Sequence, residues 1–203
     1  MCFSAPVSFA ASAGLGVIGG ASLKKAKKKY RYLAAMPLLF GLQQFFEGMQ
    51  WLTAEPNMFY AYAFLLFAFI IWPTYIPLAI YKAERLKKRK QILTTIISMG
   101  AFASLFLMII LYNETLDVSV IGHSIAYSLD VPLYQIYVGV VYYVAVTVGS
   151  FFVASDKLLN VFGGLVLFAA FVAWTFFSAA FVSVWCFMSA ILSLFIYYFI
   201  YKR

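Results

Sequence analysis

With 203 residues, 65% of them hydrophobic, and a mean hydropathy of +0.93, the chain is too apolar for a soluble domain. It contains several apolar runs of about 20 residues, enough to span a bilayer core of roughly 30 Å. Its formal net charge of +8 comes from Lys and Arg clusters beside those runs. That placement argues against a nucleic-acid patch and for a topology signal in contact with anionic inner-leaflet lipids.

The pattern predicts an all-α integral membrane protein, a single seven-helix transmembrane domain over residues 1–203. The predicted spans are 6–23, 33–52, 58–81, 92–112, 134–154, 158–174 and 180–198. The first run is expected to be a retained helix rather than a cleaved signal, because its charges follow the apolar stretch instead of preceding it. Its small residues Ala10, Ala13, Gly14, Gly16, Gly19 and Gly20 suit close helix approach, either within the bundle or in a homodimer. The third run carries Trp72, Pro73 and Pro77. An internal proline removes a helix hydrogen bond, so Pro73 and Pro77 are candidates for a fixed bend or a hinge. The stretch after Lys157 is too long for one span and is expected to fold as a helical hairpin turning at 175–179.

The connections carry the orientation signal. Lys24, Lys25, Lys27, Lys28, Lys29 and Arg31 follow the first span. Lys82, Arg85, Lys87, Lys88, Arg89 and Lys90 follow the third. Lys157 follows the fifth, and Lys202 and Arg203 follow the seventh. Seven spans put all of these on one face, and the positive-inside rule makes that face cytoplasmic, with the N-terminus outside. Six spans would strand Lys202 and Arg203 on the other side. The connection 113–133 carries Glu114, Asp117 and Asp130 and no Lys or Arg. Its apolar middle is expected to lie in the interface or re-enter between helices.

The second span holds the chemistry. Glu47 is the only Asp, Glu, Lys, Arg or His inside a predicted span. Gln43, Glu47 and Gln50 recur at i, i+4 and i+7 and so share a helix face, with Gln44 and Trp51 beside them. A charge within the membrane is costly and faces the bundle or a wet cavity. Loss of solvation there favours the proton-carrying form of the carboxyl. Two readings follow: a protonated carboxyl tied to a neighbouring helix, or a carrier of a proton or ligand.

Cys2 and Cys186 both fall toward the outer side of this topology, Cys186 near the depth of Glu47. A disulfide there is compatible with the compartment, and two independent buried thiols are the alternative. Cys2, Cys186, His123 and Glu47 are also ligand types suited to zinc or copper, although their spacing matches no metal motif. No Walker or dinucleotide motif occurs. The last span has no Lys for a Schiff base. One His cannot supply bis-histidine haem ligation. Membrane serines such as Ser183 usually hydrogen-bond helices.

Met-Cys-Phe-Ser-Ala at 1–5, Leu-Gln-Gln-Phe-Phe-Glu-Gly-Met-Gln-Trp at 42–51, Trp72–Pro73 and Val-Ser-Val-Trp-Cys-Phe-Met-Ser-Ala at 182–190 together resemble an uncharacterised prokaryotic multi-pass membrane family. The resemblance implies a seven-helix membrane protein, hence the prokaryotic cytoplasmic membrane. It implies no activity or cofactor.

The residues support the expectation of a polar pocket open to the outside, lined by Gln43, Gln44, Glu47, Gln50, Trp51, Trp185 and Cys186, with Cys2 and His123 at its mouth. Its expected work is binding or proton-linked transport of a small solute. A sensor or accessory subunit in the same membrane, and a metal- or thiol-dependent membrane enzyme, are the alternatives.

Overall fold

Helices account for most of the chain because the apolar runs can satisfy their backbone groups only internally when water is excluded. The structure, a computed structural model, describes residues 4–203. Its helices are α1 (Ala5–Lys25), α2 (Arg31–Trp51), α3 (Met58–Ala83), α4 (Lys87–Asn113), α5 (Leu133–Val153), α6 (Lys157–Phe176) and α7 (Ser178–Lys202). Among the described residues, six of these are long and apolar enough to cross a membrane. The exception, α2, has the same 21-residue length as α1. Its hydropathy is lowered by Gln43, Gln44, Glu47 and Gln50, all of them buried. Because α2 runs through the middle of the bundle, its polar groups face protein.

The outer surfaces are the reverse. Phe102, Phe106, Val138, Val141, Phe168 and Phe171 are exposed. So much uncovered apolar surface fits a lipid surround and not water. The chain is an integral membrane protein.

Close helix approach is concentrated at a few glycines. A Cβ on Gly19 would meet the Leu38 backbone N at 2.6 Å, which joins α1 to α2. Gly14, Gly16 and Gly20 have open space where a Cβ would sit, so only part of the small-residue face of α1 is used inside the bundle. On α4, a Cβ at Gly100 would fall 2.0 Å from the Pro73 carbonyl oxygen. Gly163 of α6 admits Phe151 of α5, whose Cβ would lie 2.6 Å away. The α5–α6 turn is closed by Asp156, whose carboxylate accepts from the Leu158 N–H at 3.1 Å. The turn from α6 to α7 centres on Phe177, and the first three residues of α7, Ser178–Ala180, form a 3₁₀ turn.

The α3 rod is irregular where the prolines stand. Residues Leu66–Ile71 form a π-helical segment, and the Trp72 N–H bonds the Phe67 carbonyl five residues back. In that register the Ala68 carbonyl would be served by residue 73, and Pro73 has no N–H to give. The Tyr143 hydroxyl of α5 donates to Ala68 O instead. Ser104 of α4 donates to Ile70 O at 2.7 Å and pairs with Thr74 Oγ1 at 3.1 Å. Neighbouring helices thus supply the partners that the irregular backbone needs at membrane depth.

The segment between α4 and α5 is a β-hairpin. Strands β1 (Leu116–Ile121) and β2 (Ser124–Leu129) pair antiparallel from Leu116↔Leu129 to Ile121↔Ser124. Gly122, at φ +61°, supplies the positive φ that a two-residue hairpin turn requires. Only part of the hairpin's apolar middle is packed: Val118, Ile125 and Ala126 are buried, whereas Val120 and Ile121 are exposed. Leu116, Val118 and Ile125 are buried with Phe64, Leu65 and Cys186 in a cluster separate from the main core.

Candidate functional site

The end of α2 nearest the hairpin carries the Glu47 side chain into the bundle, where it is 2% exposed. Each carboxylate oxygen has one neutral donor. Gln44 Nε2, one turn earlier on the same helix, donates to Oε2 at 3.0 Å. The Ser183 hydroxyl of α7 donates to Oε1. Among the described residues no Lys, Arg or His pairs with Glu47; the ion pair seen there is Arg203–Asp156, at the basic end. A full negative charge at Glu47 would therefore be uncompensated, and a buried charge without a counter-charge is costly.

Gln43 braces the wall beside it. Its Oε1 accepts from Trp72 Nε1 of α3 at 2.8 Å, and its Nε2 reaches the Phe64 carbonyl at 3.5 Å. Trp72 is in turn stacked on Phe40, with ring centres 4.0 Å apart. Tyr127 of β2 closes the cluster from the hairpin side, stacked on Phe64 at 5.0 Å and 11°. Burial pushes the Tyr127 hydroxyl well above its ordinary pKa, with further contributions from the nearby Glu47 and Cys186.

Three buried polar atoms in this region have no hydrogen-bond partner among the described residues: Gln44 Oε1, Trp51 Nε1 and Tyr127 Oη. Together they offer an acceptor, a donor and a hydroxyl that serves as either. Buried polar groups are nearly always satisfied in folded proteins, so each such atom points to a function or a bound polar species.

A cavity of ≈ 30 Å³ lies beside Trp72, lined also by Met36, Phe40, Tyr143, Trp185, Cys186 and Ser189 among others. Trp185 belongs to this wall: it packs on Tyr143 and Phe181, and its Nε1 donates to Val166 O at 3.2 Å. Cys186 lines the cavity and also belongs to the hairpin cluster, so it lies between the two regions.

The sequence-derived set therefore divides. Gln43, Gln44, Glu47 and Cys186 come together, with Trp51 at the margin. Gln50 has another task. With its amide oriented to satisfy both ends, it donates to Asn57 O at 2.8 Å and accepts from Asn57 N at 3.0 Å, fixing the α2–α3 turn. His123 is exposed at the hairpin turn, four residues along the strand from Tyr127, or roughly 13 Å. In place of a pocket open to the outside, the structure holds a closed site, because the hairpin packs over it. Cys2 lies outside the described residues, and so does its pairing with Cys186. Among the described residues no group of three His, Cys, Asp or Glu side chains is placed to hold a metal. Sequence reasoning treated Ser183 as an ordinary helix-bonding serine and did not single out Tyr127. Ser183 stands in the patch Val-Ser-Val-Trp-Cys-Phe, which was the one available hint.

A model of a family of unknown function, DUF6629, matches residues 1–203. The chain belongs to that family. No curated protein and no solved structure matches it.

Proposed function

We propose that this chain carries out proton-linked binding or translocation of a small solute at Glu47. The observation that carries the reading is a fully buried carboxyl with two neutral donors and no cationic partner among the described residues. Such a group needs a proton or a bound cation to complete it. The unpartnered atoms of Gln44, Trp51 and Tyr127 support a small polar occupant. Because the site is closed, exchange requires an opening motion. The π-helical segment ahead of Pro73 is the natural place for it, since π segments recur at functional sites.

In the same proposal all seven helices cross the prokaryotic cytoplasmic membrane, with the N-terminus outside and the basic end in the cytoplasm. Support comes from the charge asymmetry and from the convergence of four basic segments on one cleft: residues 27–29, 85, 157 and 202–203.

Purified protein in vesicles, with a pH-sensitive dye inside, tests the reading. An imposed proton gradient should be dissipated faster than in empty vesicles. Glu47→Gln, which keeps shape and hydrogen bonding, should fold normally and abolish the difference. Equal flux from Glu47→Gln and the parent would remove the proton-carrying role.

A further inference from the structure

At the opposite end from Glu47, the α1–α2 turn, the α3–α4 turn, the α5–α6 turn and the end of α7 surround a cleft of ≈ 700 Å³. Its lining includes six cationic side chains, Lys27, Lys29, Arg85, Lys157, Lys202 and Arg203, against two carboxylates, Glu84 and Asp156. Both carboxylates are engaged elsewhere. Glu84 accepts from the Arg85, Leu86 and Ser155 N–H groups and from the Ser155 hydroxyl. Asp156 caps α6 and pairs with Arg203 at 2.6 Å. Among the described residues, Lys29, Arg85, Lys157 and Lys202 have no carboxylate partner. The contacts of Lys29 and Lys202 are with the faces of Tyr30 and Tyr198, at 4.2 and 4.5 Å, and these leave the charge in place.

We infer that this cleft is a binding site for a phosphate-bearing anion. Its cations come from four separate chain segments, and its acids are engaged by backbone N–H groups, by the Ser155 hydroxyl and by Arg203. It is much larger than a single water and lies at the ends of the helices. A phosphodiester of a lipid headgroup and a soluble phosphate compound share this chemistry. The cleft sits at the ends of membrane-spanning helices, where either can reach it. The inference is independent of the role of Glu47.

The experiment uses the full chain in neutral detergent at low salt. Retention of phosphatidylglycerol is followed by native mass spectrometry, and binding of inorganic pyrophosphate by titration calorimetry. Arg85→Gln combined with Lys157→Gln removes two exposed charges from the cleft. Lys87→Gln combined with Lys88→Gln removes two from the neighbouring first turn of α4, outside it. The cleft pair should weaken binding at least about tenfold, given roughly 1 kcal/mol per basic residue near an anionic surface. The outside pair should change it little, and Arg85→Lys with Lys157→Arg should restore it. Retention of the lipid alone assigns the site to a headgroup, and binding of pyrophosphate alone assigns it to a soluble phosphate. Equal weakening by the two charge-removing pairs, or binding of neither probe by the parent, would overturn the inference.

Discussion

Glu47 and Glu84 are both covered carboxylates, and their surroundings give them opposite uses. Glu84, in the turn after α3, collects four donors, three of them backbone N–H groups at 2.6, 2.9 and 2.7 Å. Burial alone would raise its pKa. The bonds from Leu86, Ser155 and Arg85 outweigh that and hold it down to about 2, from an ordinary 4.5. Since the folded value lies below the unfolded one, the unfolded chain takes up protons first as pH falls. The stabilisation from Glu84 is full above about pH 4.5 and is lost as pH falls toward about 2. Glu84→Gln should cost about 2 kcal/mol of stability at neutral pH, by loss of charge-assisted hydrogen bonds. It should also flatten the acid limb of an unfolding curve. Glu47 has only two side-chain donors and nothing of this kind to hold a charge. Tyr127 beside it gives a sharper test. Its hydroxyl has no hydrogen-bond partner among the described residues, so Tyr127→Phe should leave thermal stability unchanged or raise it by up to about 1 kcal/mol. If the hydroxyl serves the bound solute, the same change should weaken solute-dependent flux. A clear loss of stability would show instead that the hydroxyl is structural. The face shared by Gln43 and Glu47 was legible because helix periodicity fixes it. Gln50 shares that face but lies at the last turn, where its amide meets the backbone of Asn57. Ser183 bonds Glu47 and Tyr127 stands near it, both from distant segments, and no spacing rule along the chain encodes that meeting.

At the scale of elements, α3 shows how an irregular helix is tolerated in a bundle. Tyr143 and Ser104 serve the Ala68 and Ile70 carbonyls, and Gly100 lets α4 come near enough for Ser104 to do so. Gly100→Ala should therefore force α4 away from Pro73, since the Cβ meets backbone rather than a flexible side-chain end. A loss of about 3 kcal/mol is expected, at the upper end for overpacking by one carbon, and it would be read as a lower unfolding temperature in detergent. Tyr143→Phe should cost less, about 1–2 kcal/mol, by stranding one carbonyl. If Gly100→Ala is neutral, the α3–α4 approach is looser than this geometry. The prolines marked the place in the sequence, yet they did not show that the π register begins before Pro73. That register depends on hydroxyls from two other helices. The hairpin was more legible than the reading of it. Leu116, Val118 and Val120 alternate with Asp117 and Ser119, and Gly122 follows, which is the period-two pattern with a turn residue. The membrane context favoured the apolar interpretation of the same residues.

At the scale of the whole molecule, the apolar runs and the basic clusters carried most of the information, because lipid imposes length and charge rules that act on each segment separately. α2 shows the limit of that legibility: its hydropathy is depressed by side chains that never meet lipid, so only its place in the bundle reveals why it is tolerated. The cleft lined by Lys27, Lys29, Arg85, Lys157, Lys202 and Arg203 puts these segments at one end of the bundle. The proposed orientation then makes a paired prediction. In a Cys2→Ser background, a cysteine at exposed Lys28 should resist a membrane-impermeant maleimide in intact cells and react after lysis. A cysteine at exposed His123 should react in both. Cys186 is buried and should stay silent until the protein is denatured, which gives an internal control. The reverse pattern would keep the fold and invert the membrane orientation, moving the basic cleft outside against the positive-inside rule. Labelling of both positions from outside would mean that α2, α3 and α4 do not all cross, and the seven-crossing proposal would fail with them.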